Sequence, residues 1–155
     1  MRALVLTVSD RVSAGERDDA SGSLGAELLA SAGFTVTTRV VADDTATISA
    51  AIVGAARSDV DVVVTTGGTG FAPRDVTPEA IRPMLEREAP GIVEALRQHR
   101  REEVPTTILS RAVAGTVGNA FVVTLPGSTG GVRDGVTVLG PVIGHLVAQL
   151  HGGDH

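Results

Sequence analysis

The sequence contains no cysteine and no lysine, and each absence excludes a class of chemistry. Without cysteine, the protein has no disulfide, no thiolate metal site and no cysteine nucleophile. Without lysine, it forms no Schiff base and has no lysine-dependent Walker phosphate loop. All 13 cationic residues are arginine, so an anionic ligand must be bound by arginine side chains, backbone N–H groups or a metal ion.

Aromatic residues and long apolar runs are also scarce. Aromatic residues make up 2% of the chain and hydrophobic residues 43%, so Val, Leu, Ile and Ala must form the core. No stretch approaches the roughly 20 apolar residues of a membrane span, and the first ten residues become polar too early for a secretory signal. A net charge of −5 gives no general attraction to nucleic acid or to an anionic membrane. We therefore expect a cytoplasmic protein that binds neither nucleic acid nor membrane, with residues 1–155 forming a single domain.

Strand and helix patterns alternate along the chain. Apolar runs predict strands at residues 3–9, 34–41 and 60–64, with amphipathic helices between them. Residues 104–113 and 121–125 are predicted to be the strands of an antiparallel hairpin. The last helix, from Val132, is predicted to break near Gly140-Pro141, and the final residues are predicted to fray. This order predicts an α/β sandwich in which helices cover both faces of a mixed sheet.

The third predicted strand leads into a glycine-rich segment. The sequence there is Thr66-Gly67-Gly68-Thr69-Gly70, which combines three glycines with two hydroxyl groups. Glycine lets main-chain N–H groups approach a ligand closely, as in loops that bind phosphate without side chains. Thr77-Pro78-Glu79 then predicts a helix start with Thr77 as the N-cap. Asp75 is therefore expected between a phosphate-binding loop and a helix.

Polar or glycine-rich segments also follow the other predicted strands. They are a polar loop at residues 9–23, an acidic pair after the second strand and a second glycine loop after the last strand. Their leading residues are Ser9, Asp10, Arg11, Asp43, Asp44, Pro126, Gly127 and Ser128. Any of these could merely shape a turn or cap a helix. Because ligands of open α/β sheets bind beyond the carboxyl ends of the strands, we expect instead a site for a phosphorylated ligand with a divalent cation.

Five motifs together resemble one protein family. They are SDR at residues 9–11, TTGGTG at 65–70, RDVTPEA at 74–80, SRAVAG at 110–115 and LPGSTGGVRD at 125–134. Over nearly its whole length the chain resembles the MogA and MoaB proteins of molybdenum-cofactor biosynthesis. The resemblance implies a three-layer α/β/α domain with a mostly parallel sheet, usually trimeric, that binds molybdopterin. Active members transfer AMP from Mg·ATP to molybdopterin, and the adenylyl-molybdopterin is handed to a molybdate-inserting enzyme.

The resemblance also implies the site residues. The family's two essential aspartates match Asp43 and Asp75, which would orient Mg²⁺ and the reacting phosphates. The residues that would bind molybdopterin and phosphate are Ser9, Asp10, Arg11, Thr66, Gly67, Gly68, Thr69, Gly70, Ser110, Pro126, Gly127 and Ser128. One departure from the family pattern is Arg100, which stands where active relatives often have a serine.

Two other functions remain open at this point. MoaB-like chains share most of these motifs, so the protein could bind molybdopterin without adenylylating it, although retention of Asp43 and Asp75 favours the enzyme. A dinucleotide-binding oxidoreductase could have a similar fold. That function needs G-x-G-x-x-G after the first strand, where this chain has SDRVSAG.

Overall fold

The computed structural model describes residues 1–153, which form one six-stranded sheet with helices on both faces. The strands of this part are β1 (Arg2–Val8), β2 (Thr35–Val41), β3 (Val62–Thr66), β4 (Arg87–Glu88), β5 (Ala114–Val117) and β6 (Ala120–Leu125). The α-helices are α1 (Asp10–Ser13), α2 (Ala20–Ser31), α3 (Thr45–Ala56), α4 (Thr77–Ile81), α5 (Pro90–Gln98) and α6 (Thr129–Leu150). Short 3₁₀ helices lie at Arg82–Met84 and Pro105–Leu109. The predicted fraying of residues 151–155 is not seen at 151–153, where the Gly152 and Gly153 amides donate to the carbonyls of Gln149 and Ala148. Positions 154 and 155 lie outside the described residues.

The sheet is mixed, as predicted, and its strands run in the order β2-β1-β3-β6-β5-β4. The first four strands in this order are parallel to one another. β5 is antiparallel to β6, and β4 is antiparallel to β5. The β5–β6 hairpin turns at Gly118, whose φ of 56° suits a residue without a side chain. The three-layer α/β/α fold with a mostly parallel sheet and one hairpin is therefore confirmed.

Both faces of the sheet are covered, which explains why the central strands are apolar at nearly every position. Every residue of β3 is buried: Val62 and Val64 face the layer formed by α2, α5 and α6, and Val63 faces α3 and α4. Ile48 and Ile52 of α3 are also fully buried. None of the helices within residues 1–153 combines the length and hydropathy that a bilayer crossing requires.

The prediction of a strand at residues 104–113 is wrong, because no residue of this segment joins the sheet and β5 begins only at Ala114. Pro105 has no N–H group to donate to a strand ladder. The residues that follow form 3₁₀-type hydrogen bonds instead, from Thr107 N to Val104 O and from Ser110 N to Thr107 O. The Thr107 hydroxyl also donates to the Arg97 carbonyl at 2.8 Å. This segment therefore packs beside the end of α5 rather than in the sheet.

The expected break in the last helix is also absent, because α6 continues through Pro141. A proline inside a helix removes one hydrogen bond and costs about 3 kcal/mol. Leu139 and Ile143 lie on either side of Pro141, and both are buried in the same core cluster. We attribute the continuity to this packing, which holds both halves of the helix against the sheet.

Two local predictions near the site need correction. The segment at residues 9–23 is not one loop: α1 begins at Asp10, and α2 already begins at Ala20. Thr77 is not an N-cap, because Val76 occupies that position. The Thr77 hydroxyl donates instead to the Gly67 carbonyl at 2.9 Å and is fully buried. It therefore fastens the glycine-rich turn to α4.

Candidate functional site

The carboxyl ends of β1, β2, β3 and β6 meet at one edge of the sheet, where all four predicted site segments lie. The two glycine-rich segments are in direct contact. Gly67 N donates to the Leu125 carbonyl at 3.1 Å, and the buried Thr66 hydroxyl donates to the Pro126 carbonyl at 3.0 Å. The prediction that both turns lie at the same rim of the sheet is confirmed.

The first glycine loop, residues 67–75, requires glycine at its first two positions. Gly67 and Gly68 have φ values of 102° and 63°, which side chains disfavour. A Cβ atom at Gly67 would lie 2.2 Å from the Val8 carbonyl oxygen, and one at Gly68 would lie 2.3 Å from the Thr77 hydroxyl. Backbone geometry and close packing therefore fix both residues.

Three consecutive amides of this loop have no hydrogen-bond partner within residues 1–153. Within residues 1–153, the N–H groups of Gly68, Thr69 and Gly70 donate to no protein acceptor. The Gly67 N–H is used on Leu125 and does not share this property. Successive free N–H groups in a glycine turn form a concave site for anions such as phosphate.

The second glycine loop, residues 126–131, is the start of the 22-residue helix α6. Ser128 is the N-cap, and its hydroxyl oxygen accepts from Gly131 N at 3.0 Å. The amides of Thr129 and Gly130 have no protein acceptor within residues 1–153. Open amides at a helix N-terminus carry partial positive charge and favour bound anions.

Asp43 and Asp44 are adjacent but have different surroundings. The Asp44 carboxylate caps α3 and accepts from Thr47 N at 2.8 Å and from the Thr47 hydroxyl at 2.7 Å. Asp43 turns to the site: its Oδ1 lies 3.2 Å from the position that a Cβ of Gly68 would occupy. Its Oδ2 accepts from Asp10 N at 2.8 Å. Of the pair, Asp43 is the acid that faces the first glycine loop.

Burial raises the pKa of the Asp43 carboxyl above its ordinary value. The negative charges of Asp10 and Asp75 raise this pKa further, while the hydrogen bond from the Asp10 amide acts in the opposite direction. A carboxylate that is partly buried among other acids is less stable in its charged form, and a cation between the acids would relieve the repulsion.

Asp75 closes the first glycine loop. Its Oδ2 accepts from Ala72 N at 2.9 Å and lies 2.8 Å from where a Cβ at Gly70 would stand. Within the described residues, Oδ1 of Asp75 and Oδ1 of Asp43 accept no hydrogen bond. Each aspartate therefore has one oxygen fixed by a backbone amide and one oxygen free.

Asp10 connects three of the site segments. Its Oδ1 accepts from Asp43 N at 3.0 Å, and both carboxylate oxygens accept from the guanidinium of Arg74, each at 2.9 Å. These hydrogen bonds, with those from Arg74 the stronger influence, lower the pKa of Asp10. Asp10 thus contacts Asp43 beside the site but lines neither of the two cavities described below, and its carboxylate is engaged by the protein.

The other predicted residues of the first segment differ in position. Ser9 caps α1, and its hydroxyl accepts from Val12 N at 3.3 Å. Arg11 is exposed in α1 and lies outside the walls of both cavities described below. Ser110 is half-buried and borders the larger cavity.

Arg111 is a residue of the site that the sequence reasoning missed. Its Nε and Nη2 donate to the carbonyls of Gly70 and Asp75, each at 2.6 Å. Nη1 pairs with Glu79, and the guanidinium lies 5.4 Å from the Phe71 ring centroid. Arg111 therefore holds the backbone of the first glycine loop on both sides of its tip. The available signal was an isolated arginine in the otherwise apolar stretch that enters β5.

Two open cavities flank the glycine loops. The larger, of about 600 Å³, extends over α5 and residues 104–110 and includes Arg97, Arg100 and Asp134. Arg100 Nη1 approaches the Asp134 carboxylate at 3.6 Å. The smaller cavity, of about 380 Å³, lies toward β1 and includes Asp43. Both cavities are lined by Gly67, Gly68, Asp75, Gly127 and Ser128.

The donor set suits Mg²⁺ only if a substrate completes it. Within residues 1–153, no group of three or more His, Asp, Glu or Cys residues could hold a metal ion. Mg²⁺ is usually bound through one or two carboxylates, with water and substrate phosphates filling the remaining positions. The free oxygens of Asp43 and Asp75 fit this pattern, since both aspartates line the smaller cavity.

Residues 4–145 match the family described as "Probable molybdopterin binding domain". The chain belongs to this family.

Several relatives are similar over almost the whole chain. A molybdenum cofactor biosynthesis bifunctional protein of Synechococcus elongatus is 44% identical over 99% of this chain and 48% of its own length, so this chain spans about half of that protein. Molybdenum cofactor biosynthesis protein B of Bacillus anthracis is 41% identical over 97% of this chain and 91% of its own. A molybdopterin adenylyltransferase of Pyrococcus furiosus is 39% identical over 92% of this chain and 87% of its own.

The fold has a solved counterpart. A molybdopterin biosynthesis protein from Mycobacterium abscessus superposes with a TM-score of 0.92 at 46% identity, covering 97% of this chain and 96% of that one. Together these relatives support a role for the chain in molybdenum cofactor biosynthesis.

Proposed function

We propose that the protein is a molybdopterin adenylyltransferase, which transfers AMP from Mg·ATP to molybdopterin and releases pyrophosphate. The observation that carries this proposal is the shared wall between the two cavities. A two-substrate transfer needs two adjoining spaces with the reacting groups at their junction. Here the junction consists of two glycine loops and Asp75, with Asp43 in the smaller cavity. The name of the Pyrococcus furiosus relative supports the same reaction.

The chemistry requires alignment and neutralisation of charge. The phosphate of molybdopterin attacks the α-phosphorus of ATP, and pyrophosphate leaves with the electron pair of the broken P–O bond. No covalent enzyme intermediate is needed, which suits a chain without cysteine or lysine. In our proposal the amides of Gly68, Thr69 and Gly70 and those of Thr129 and Gly130 hold phosphoryl oxygens.

Asp43 and Asp75 supply negative charge at the same place. Each presents one carboxylate oxygen that accepts no hydrogen bond from residues 1–153, and their mutual repulsion favours a cation between them. When bound there, Mg²⁺ would neutralise and orient the reacting phosphates. The hydrogen bonds from Asp10 N and Ala72 N keep the two carboxylates oriented before substrate arrives.

Further parts of the proposal extend the family resemblance. We propose a single domain over residues 1–155 that acts in the cytoplasm as a homotrimer and hands its product to a molybdate-inserting enzyme. Light scattering of the purified protein tests the oligomer: a mass of about three chains supports it, and a monomer contradicts it.

Pyrophosphate release tests the reaction. Purified protein is incubated with molybdopterin and Mg·ATP, and a reaction without molybdopterin serves as the control. Release that depends on molybdopterin is the expected result. Molybdopterin binding without release would favour the alternative of a MoaB-like carrier, which the protein B name of the Bacillus anthracis relative makes a specific second candidate.

A further inference from the structure

Among residues 1–153, only one hydrogen-bond donor contacts the Asp43 carboxylate, the amide of Asp10. Asp10 N donates to Oδ2 of Asp43 at 2.8 Å, and Asp43 N donates back to Oδ1 of Asp10 at 3.0 Å. These reciprocal hydrogen bonds join the start of α1 to the loop after β2. They leave Oδ1 of Asp43 directed at the first glycine loop, near Gly68.

The orientation of Asp10 depends in turn on Arg74. Nε and Nη2 of Arg74 donate to the two oxygens of Asp10, each at 2.9 Å, in the bidentate geometry that fixes a carboxylate plane. Arg74 belongs to the first glycine loop and precedes Asp75. One chain of hydrogen bonds, Arg74 to Asp10 to Asp43, therefore connects the three segments at the site.

Stability of the fold does not account for this arrangement. The side chains of Arg74 and Asp10 are 67% and 41% exposed, and exposed ion pairs contribute little to folding. Direct phosphate binding is not indicated either, since Arg74 lines neither cavity and two of its three guanidinium nitrogens are engaged by Asp10.

We propose that Arg74 is a positioning residue that acts through Asp10 to hold the free oxygen of Asp43 against the first glycine loop. This inference rests on the proposed function, in which Asp43 orients the reacting phosphates. Arg74 and Asp75 are neighbours in the chain, so the loop that carries one aspartate also orients the other. The two acids thereby keep a fixed relation across three separate segments.

Steady-state kinetics test the catalytic part. Arg74→Gln and Asp10→Asn should each lower kcat by about 10- to 100-fold, because a small displacement of an aligning group slows the reaction by that order. The KM values for molybdopterin and Mg·ATP should change by less than about threefold, since neither residue binds substrate. The double variant should be no slower than the slower single variant. Arg39→Gln, an exposed arginine on β2, is the matched control and should retain the wild-type kcat.

Two kinetic results would overturn the inference. A KM increase of tenfold or more in Arg74→Gln with unchanged kcat would mean that Arg74 binds substrate directly. Multiplicative losses in the double variant would mean that Arg74 and Asp10 act independently.

Amide hydrogen exchange of the ligand-free protein tests the structural part without turnover. In Arg74→Gln, exchange at the Asp10 and Asp43 amides should accelerate by about tenfold or more, while β1 and β3 amides keep their wild-type rates. Unchanged exchange at both amides would contradict the inference. If the wild type releases no pyrophosphate but exchange still accelerates in Arg74→Gln, the proposed function fails and the hydrogen-bonded chain stands.

Discussion

The first and second glycine loops follow neighbouring parallel strands, yet they are built differently. Hydrogen bonds join the first loop to three other segments: Gly67 N donates to the Leu125 carbonyl, the Thr77 hydroxyl donates to the Gly67 carbonyl, and Arg111 donates to the Gly70 carbonyl. Two of its glycines have positive φ. In the second loop residues 127–130 are exposed, and the hydrogen bonds that hold the loop are the Ser128 cap on α6 and the bond from Thr66 to the Pro126 carbonyl.

The two glycine loops therefore have different roles, although their sequences are similar. Glycine at positions 67 and 68 of the first loop is required because a Cβ would meet protein atoms and φ is positive. In the second loop a Cβ at Gly130 would meet nothing within 4 Å, although one at Gly131 would lie 2.7 Å from Pro126. The first loop and its neighbours also carry the acids, while the second offers amides at a helix N-terminus. We infer that both loops bind phosphate through their amides, and that the first loop, with the acids beside it, also aligns the reacting centre. The following changes break or sharpen that comparison, from the largest expected effect to the smallest.

Asp75→Asn should abolish pyrophosphate release while leaving the conformation of the first glycine loop intact. The amide keeps an oxygen that can accept from Ala72 N but loses the negative charge, so pyrophosphate release should fall by at least about a thousandfold. The melting temperature and molybdopterin binding should stay near wild-type values. Asp59→Asn, at a highly exposed aspartate far from the site, is the control. Normal turnover by Asp75→Asn would refute the role of this acid.

Alanine substitution in each loop should change the free energy of unfolding by different amounts. Gly67→Ala should destabilise the protein by at least about 2 kcal/mol, because it combines an unfavourable φ with a contact of 2.2 Å to the Val8 carbonyl. Gly130→Ala should be neutral or stabilise by about 0.5–1 kcal/mol, since it lies in the first turn of α6 and meets no atom. Urea unfolding of the two variants measures both values, and equal losses would contradict the assigned difference.

Ser128→Ala tests how much the N-cap of α6 in the second loop contributes to folding stability. Loss of the hydroxyl that accepts from Gly131 N should cost about 1 kcal/mol of folding stability. Ser128→Thr keeps a capping hydroxyl and should cost less. If both variants unfold at the same urea concentration, the cap does not stabilise α6 in the way the geometry indicates.

Asp43→Asn should change how stability depends on pH. The pKa of Asp43 is raised in the folded protein, so the unfolded chain releases this proton first as pH rises. Ionisation of Asp43 therefore opposes folding above its ordinary pKa, near pH 4, and the cost is complete once pH exceeds the raised value. The stability of the wild type relative to Asp43→Asn should fall across this window. Urea unfolding at several pH values measures the difference, and an increase with pH would contradict the burial of this charge.

The central strands and the edge of the sheet that carries the site could be predicted from sequence, because short local patterns determine them. Apolar runs such as Val62 to Val64 are typical of buried parallel strands, and parallel strands bring their carboxyl ends to one edge. The position of Asp75 followed from the adjacent glycines. The same local rules failed where distant contacts decide, as with Pro141, whose cost is outweighed by packing on the sheet.

The side-chain network could not be predicted, because its partners are far apart in the chain. Asp10 and Arg74 are separated by 64 positions, and Arg111 lies 41 positions from Gly70. Spacing alone also could not distinguish Asp43 from Asp44. Their roles differ because the Thr47 amide and hydroxyl engage Asp44 as the cap of α3, while Asp43 faces Gly68.

A crystal structure with AMP and molybdopterin tests most directly whether both loops serve one site. We expect phosphate oxygens within about 3.2 Å of amide nitrogens from both residues 68–70 and residues 129–130, with Asp43 and Asp75 beside them. Phosphates bound by only one loop, or bound away from Asp75, would contradict the proposal that both loops serve one site.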